Sequence, residues 1–237
     1  GYLQRDPGMP LDVMNNTLRI FAGTRIGCAQ CHNHPFDKWT QKEFYQMAAF
    51  TFGTHNSTSG SEKKFFAEDP VEKLREQFTA IEQEEEDRRN NSYLFDRMIR
   101  NNLMVIHDEA AKKIQLPKDY AYSDATREEA IDPKTIFGPP VTIKPGEAPR
   151  KAFARWLVSK ENPRFAKTIS NRLWKQLFGR GQFEPVDDIT DGTVAENPEL
   201  MTFLESEFVR MNFDMKEYLR ILLNTRAYQR EATREVI

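Results

Sequence analysis

Apolar residues recur at helical spacing over much of this chain. Met14, Leu18, Phe21 and Ala22 form one stripe near the N-terminus. Thr40-Gln41-Lys42-Glu43 has the form of a capping box, in which a Thr hydroxyl and a Glu carboxylate satisfy free backbone N–H groups at a helix start. It predicts a helix to about Phe50, with Phe44, Met47 and Ala48 on its apolar face. Asp69-Pro70-Val71-Glu72 predicts a further start, because Pro is preorganised for the first helical position. Val71, Leu74, Phe78 and Ile81 then step by three and four, like a coiled-coil seam. Asn90-Asn91-Ser92 breaks that helix, and a second one carries Leu94, Met98 and Ile106, with His107 beside it. The charge run at 84–87 fits a solvated face of this hairpin.

Residues 116–149 interrupt the pattern. They hold six of the 13 prolines, and proline both lacks an N–H and restricts its predecessor. A connector along the surface is expected here, with short extended pieces at 135–137 and 141–143 around Gly138-Pro139-Pro140. Four helices follow, at about 149–158, 163–178, 198–211 and 215–229. Asn162-Pro163, Asn197-Pro198 and Asp214 supply their caps, and Gly179 with Gly181 stops the second. The expected fold is mainly α: a helical C-x-x-C-H region at 1–68, a helical hairpin at 69–115, a Pro-rich connector at 116–149 and a C-terminal helical domain at 150–237.

Composition narrows what such a fold can do. The 34 Lys+Arg and 36 Asp+Glu leave a net charge of -2, without the basic excess of a nucleic-acid binder, so no nucleic acid is expected as a partner. That sum hides a segregation. Residues 150–180 hold nine bases and one acid, while 181–217 hold ten acids and two bases. Either the two stretches pack together and cancel, or the basic one faces an anionic partner. No run reaches the roughly 18–20 apolar residues of a membrane span, so no transmembrane segment is expected. The chain opens with Gly1 rather than Met, as a processed or excised piece would. Its 2 Cys exclude a disulfide-dense scaffold and any all-cysteine metal cluster built from this chain alone.

Both cysteines fall in one motif, Cys28-Ala29-Gln30-Cys31-His32. Two thiols at this spacing can add to the two vinyl groups of one haem, and His32 then lies under the iron as proximal ligand. Three other readings stay open. A redox dithiol would want a βαβ context, and none surrounds the motif. A zinc site could recruit Cys28, Cys31, His34 and another His, although His32-x-His34 lacks the usual gap of three to five. The thiols could also be free, or joined as a structural disulfide. His34 is a candidate for a propionate contact or a second metal, against an ordinary loop His before Pro35. His55, in a Ser/Thr/Gly-rich loop after Phe52-Gly53-Thr54, is a candidate distal ligand, against a surface His. Met47 and Met104 could offer thioethers, but Met at helical spacing more often fills a core. The sixth ligand is unassigned.

At this motif the chain resembles a known family. Arg25-Ile26-Gly27, the C-x-x-C-H residues and Asn33-His34-Pro35-Phe36-Asp37-Lys38-Trp39-Thr40-Gln41 look like the signature closing the first of two paired domains of unknown function, found in secreted planctomycete cytochrome C-like proteins. The second domain is echoed by 150–157, Asn162-Pro163-Arg164-Phe165-Ala166, Asn171-Arg172-Leu173-Trp174, Phe178-Gly179-Arg180-Gly181, Pro185-Val186-Asp187-Asp188, Asn197-Pro198-Glu199-Leu200 and Thr225-Arg226-Ala227-Tyr228-Gln229. The likeness covers about 10–52 and 148–230. It implies an exported, periplasmic or extracellular bacterial protein, a role in polysaccharide use, and a segment of a longer polypeptide.

Within the second domain, Asp187 and Asp188 could bind calcium or serve as acid and base. They could equally cap an element and pair with Arg180 or Arg172. Asn171, Trp174 and Arg226 could line a sugar cleft, or Trp174 could be core. The leading expectation is an extracytoplasmic c-type haem protein that passes electrons to a partner protein, linked to polysaccharide utilisation. It makes 1–68 a haem-binding region with covalent haem c on Cys28 and Cys31. The alternatives are a carbohydrate-active or glycan-binding component with a structural haem or metal, and a structural subunit of a larger complex. Whether the chain is an enzyme is left open.

Overall fold

The computed structural model describes residues 9–58, 104–109 and 111–230. It is mainly helical. In chain order the described elements are α1 (Pro10–Phe21), a 3-10 turn (Gly27–Gln30), α2 (Gln41–Ala48), β1 (Thr54–Thr58), β2 (Met104–Asp108), β3 (Ile114–Gln115), β4 (Ala130–Ile131), α3 (Pro149–Leu157), α4 (Phe165–Phe178), α5 (Pro198–Arg210) and α6 (Met215–Leu223).

Local chemistry explains most boundaries. Pro10 and Pro149 open α1 and α3 at positions where a helix N–H would have no partner. At Thr40 both halves of the capping box form: its hydroxyl accepts from the Glu43 N–H, and the Glu43 carboxylate accepts from the Thr40 N–H at 2.8 Å. Asn162 serves α4 from just outside it, its Oδ1 accepting from the N–H groups of Arg164 (3.0 Å) and Phe165 (3.2 Å). Asn197 and Asp214 cap α5 and α6. Gly179, at φ +82°, ends α4 in the left-handed conformation.

Three expectations are corrected. The last helix stops at Leu223 rather than 229. There Asn224 Nδ2 donates to the Arg220 carbonyl and Thr225 Oγ1 to the Leu222 carbonyl, both at 2.7 Å, and these side chains compete with further helical turns. Ile106 and His107 lie on a strand, not a helix: β2 pairs antiparallel with β1, and His55, expected in a loop, stands opposite His107. The β-branched run Val105-Ile106 suits a pleated strand, and β1 supplies its partner. The extended piece within the connector is β4, paired with β3 at the end of the expected hairpin (Ile114↔Ile131), rather than 135–137 and 141–143. Residues 69–103 and 110 of the expected hairpin lie outside the described residues.

A single apolar core joins the segments on either side of the Pro-rich stretch. It runs from Met14, Leu18, Trp39 and Phe44 to Phe153, Trp156, Leu204, Phe208 and Tyr218, all buried. The stretch itself contributes Leu116, Tyr120 and Ile131 to this core. Trp156 Nε1 donates to the Pro139 carbonyl at 3.0 Å. α4 packs on α5 and reaches α1, so the C-terminal helices sit against the N-terminal one. The segregated charges partly cancel across the fold: Lys175 pairs with Glu184 at 2.9 Å, Arg180 with Glu196, and Arg164 approaches Asp191 at 3.8 Å.

β2 is tied to α3 by a bidentate pair. Arg150 Nε and Nη2 donate to Asp108 at 2.9 and 2.7 Å, and Thr54 Oγ1 adds a bond at 2.9 Å. The Arg150 hydrogen bonds hold the Asp108 carboxyl below its ordinary value of 3.8, against an opposing effect of burial. A carboxyl depressed in the folded state stabilises above its unfolded value, and that contribution is lost as pH falls through the folded value. Asp108→Asn should therefore lower Tm at neutral pH, with the difference from the parent protein shrinking as pH falls below 3.8 through the lowered folded value. Thermal melts across that range check it; an equal Tm loss at every pH would refute the assignment.

Candidate haem-attachment turn

The C-x-x-C-H residues sit on the 3-10 turn between α1 and α2. Ala29 anchors it in the core with no exposure, and Gly27 lets it approach Asn15, which lies about 3.1 Å from where a β-carbon would stand. Cys28 lies within the turn and Cys31 is its C-cap residue, so one short turn carries both thiols. Both are free and exposed. The Cys31 N–H and His32 N–H both donate to the Cys28 carbonyl, at 3.3 and 3.4 Å.

The loop after the turn is wired from several sides. Asn33 N–H donates to Tyr122 Oη at 2.7 Å, and Gln41 N–H donates to Asn33 Oδ1 at 2.9 Å. Gln41 Nε2 reaches the Gln30 carbonyl at 3.1 Å, and His34 N–H the Trp39 carbonyl at 2.8 Å.

The two motif histidines have opposite tautomers. His32 is exposed, and its Nδ1 lies 2.7 Å from the Asn33 carbonyl. A carbonyl only accepts, so Nδ1 carries the proton and the Nε2 lone pair is free for a metal. His34 Nδ1 instead accepts from the Phe36 N–H at 3.2 Å, which puts the proton on Nε2. His34 thus closes its own loop, with no lone pair free. His55 and Met104 lie on β1 and β2. Met47 is fully buried in the core.

These residues fit a covalently attached haem at its proximal side: two exposed thiols on one short turn and an imidazole with a bare Nε2. Beside Cys28 opens a cleft of about 540 Å³ between α1, the turn and the 188–190 segment, which Arg19 and Arg25 line. Among the described residues, no three His, Cys, Asp or Glu side chains gather as a metal site.

The second set of candidates does not converge. Asp187 binds Arg25 at 2.6 Å, and Asp188 lies 3.9 Å from the same guanidinium, where Arg180 or Arg172 had been expected. Arg180 turns away to Glu196. The reason is distance in the fold, not charge: the segment after Pro185 packs on the C-x-x-C-H region, with Ile189 N–H donating to the Gly23 carbonyl at 2.6 Å. Arg172 is half-buried and gives Nη2 to the Arg19 carbonyl at 3.1 Å; burial pushes its guanidinium below the usual value. Asn171 is fully buried, holding the Gln182 N–H and the Phe183 carbonyl at 2.6 and 3.0 Å. Trp174 stacks on Phe178 with ring centres 3.9 Å apart. Arg226 is exposed. Arg25, Lys38, Arg164 and Asp191 were not singled out for this site by sequence; the one signal was that Arg25 and Lys38 flank the motif.

An exposed C-x-x-C-H turn, carried by a helical protein and seated against a second helical segment, defines the class. Residues 6–56 match the PSCyt2 family model, a protein of unknown function (DUF1549), and residues 149–236 match PSD1, a protein of unknown function (DUF1553). These are the paired domains of planctomycete cytochrome c-like proteins, and this chain carries the end of the first together with the second. No curated protein and no solved structure matches it. Among the described residues, no helix is long and apolar enough to cross a membrane.

Proposed function

We propose that this chain is a c-type haem protein of an exported compartment, passing electrons to a partner protein. The observation that carries this is the pairing of two exposed thiols on one short turn with a histidine whose Nδ1 is tied to the Asn33 carbonyl. Cys28 and Cys31 would each add S–H across a vinyl group, forming one C–S bond and needing no oxidant. His32 would ligate through Nε2. Haem supplies a one-electron couple; the chain contributes attachment, the imidazole tautomer and the surroundings that tune the potential. Exposure of the turn suits transfer to a docked protein. Export and the link to polysaccharide use come with the family resemblance.

The test is expression in a bacterial host with cytochrome c maturation. A pyridine haemochrome spectrum and a haem-sized mass increase on the peptide holding Cys28 and Cys31 are expected. Colourless protein with unmodified cysteines would sink the reading.

A further inference from the structure

We infer that Arg164 and the 187–191 segment of the second matched domain are positioning elements for the C-x-x-C-H turn, fixing both of its ends while its reactive middle stays open. The functional half of this rests on the haem reading; the mechanical half does not.

Both ends of the turn meet the same partner. On the N-terminal side, Ile189 N–H donates to the Gly23 carbonyl at 2.6 Å, and Arg25 holds Asp187 at 2.6 Å. Gly23 sits at φ +56°, where a β-carbon would lie 2.8–2.9 Å from Ile189 and Thr168, so this close seat requires glycine. On the C-terminal side, Lys38 Nζ meets Asp191 Oδ2 at 2.5 Å.

Arg164 joins the two sides. It is 8% exposed, just before α4. Its Nη1 donates to Thr24 Oγ1 at 3.2 Å and also to the Ile189 carbonyl. Its guanidinium lies over the rings of Trp39 (5.5 Å) and Phe137 (5.1 Å). Magnitudes rank these contacts. Lys38 and Asp191 are more than half exposed, so that pair contributes little. Arg25 and Asp187 are intermediate. A buried guanidinium with charged-donor bonds dominates, because its loss strands the buried Ile189 carbonyl, while the Thr24 hydroxyl keeps its bond to the Ala22 carbonyl.

The consequence is a division of labour. Residues 23–25 and 38–39 are held by the second domain, whereas Cys28, Cys31 and His32 are exposed. The frame that carries His32 is thereby held by residues more than 120 positions later in the chain, while the Asn33 carbonyl orients the ring itself.

Amide hydrogen exchange on the full chain tests this. Arg164→Lys should speed exchange at 24–32 and 38–41 roughly tenfold, while amides of α5 stay near parent values. Asp187→Asn, at a part-exposed site, keeps the test alive if Arg164→Lys folds poorly; its effect should be about threefold and confined to 24–32. Asp187→Glu should restore much of the protection. In haem-loaded protein both loosened variants should shift the midpoint potential, which a merely stabilising role would not do. Unchanged exchange around the turn, or a uniform rise over the whole chain, would overturn the positioning role. Local loosening in a protein that never takes haem would sink the functional proposal alone.

Discussion

If the proposed haem attachment holds, Cys28→Ser with Cys31→Ser abolishes it: the expected mass increase disappears, and acid-acetone extraction recovers any haem still bound. His32→Ala separates ligation from attachment. Both thioethers still form in that variant, so the mass increase persists at reduced yield, but the proximal-imidazole spectrum is lost. Added imidazole restores it, because the Asn33 carbonyl orients the native ring without being a ligand itself. The expectation follows from geometry. Two exposed thiols on one short turn can form one anchor, and an imidazole protonated at Nδ1 offers Nε2. Retention of the haem mass in the double serine variant would contradict the assignment outright. Retention of the proximal spectrum in His32→Ala would move the ligand elsewhere.

Trp39→Ala costs about 3–5 kcal/mol of folding stability, the range for deleting a large core side chain. Trp39 is 1% exposed, lies 6.2 Å from the Phe137 ring, and forms the face under Arg164. Trp39→Phe is much milder, under about 1.5 kcal/mol. Among the described residues its indole Nε1 has no hydrogen-bond partner, so replacing it with Phe sacrifices no bond there. Trp156 provides the contrast. Its Nε1 donates to the Pro139 carbonyl, so Trp156→Phe leaves that carbonyl unpaired and should cost about 1 kcal/mol more than Trp39→Phe. Urea denaturation of the four variants decides the order. Equal losses for the two Phe variants would show that the Pro139 bond contributes nothing.

The elements legible in the sequence were those whose signals are local. Thr40 with Glu43, Asn197, Asp214 and Gly179 each act within one turn of chain, and each bounds a helix as read. The β1–β2 pairing was not legible, because Thr54 finds Asp108 across more than fifty residues, and the run Val105-Ile106 suits a helix or a strand equally. At the site, Cys28, Cys31 and His32 were visible because they are contiguous in the chain, and the structure sets them on one exposed turn. The supporting shell was not. Arg164 reads as one of nine bases in a basic stretch, and nothing local marks it as buried under Trp39 and Phe137. Asp187 was noticed for the wrong partner, since pairing with Arg25 depends on how α4 docks on α1.

The β1–β2 register bears on the geometry at the far end of the pair. Thr58 lies opposite Met104, so the chain departs and returns at neighbouring points, with Asp108 clamped to Arg150 just below. The ladder and this clamp together fix how far apart Thr58 and Met104 stand, so the spacing of those two points is set from the core side of the sheet, by a salt bridge to a helix that begins more than forty residues later.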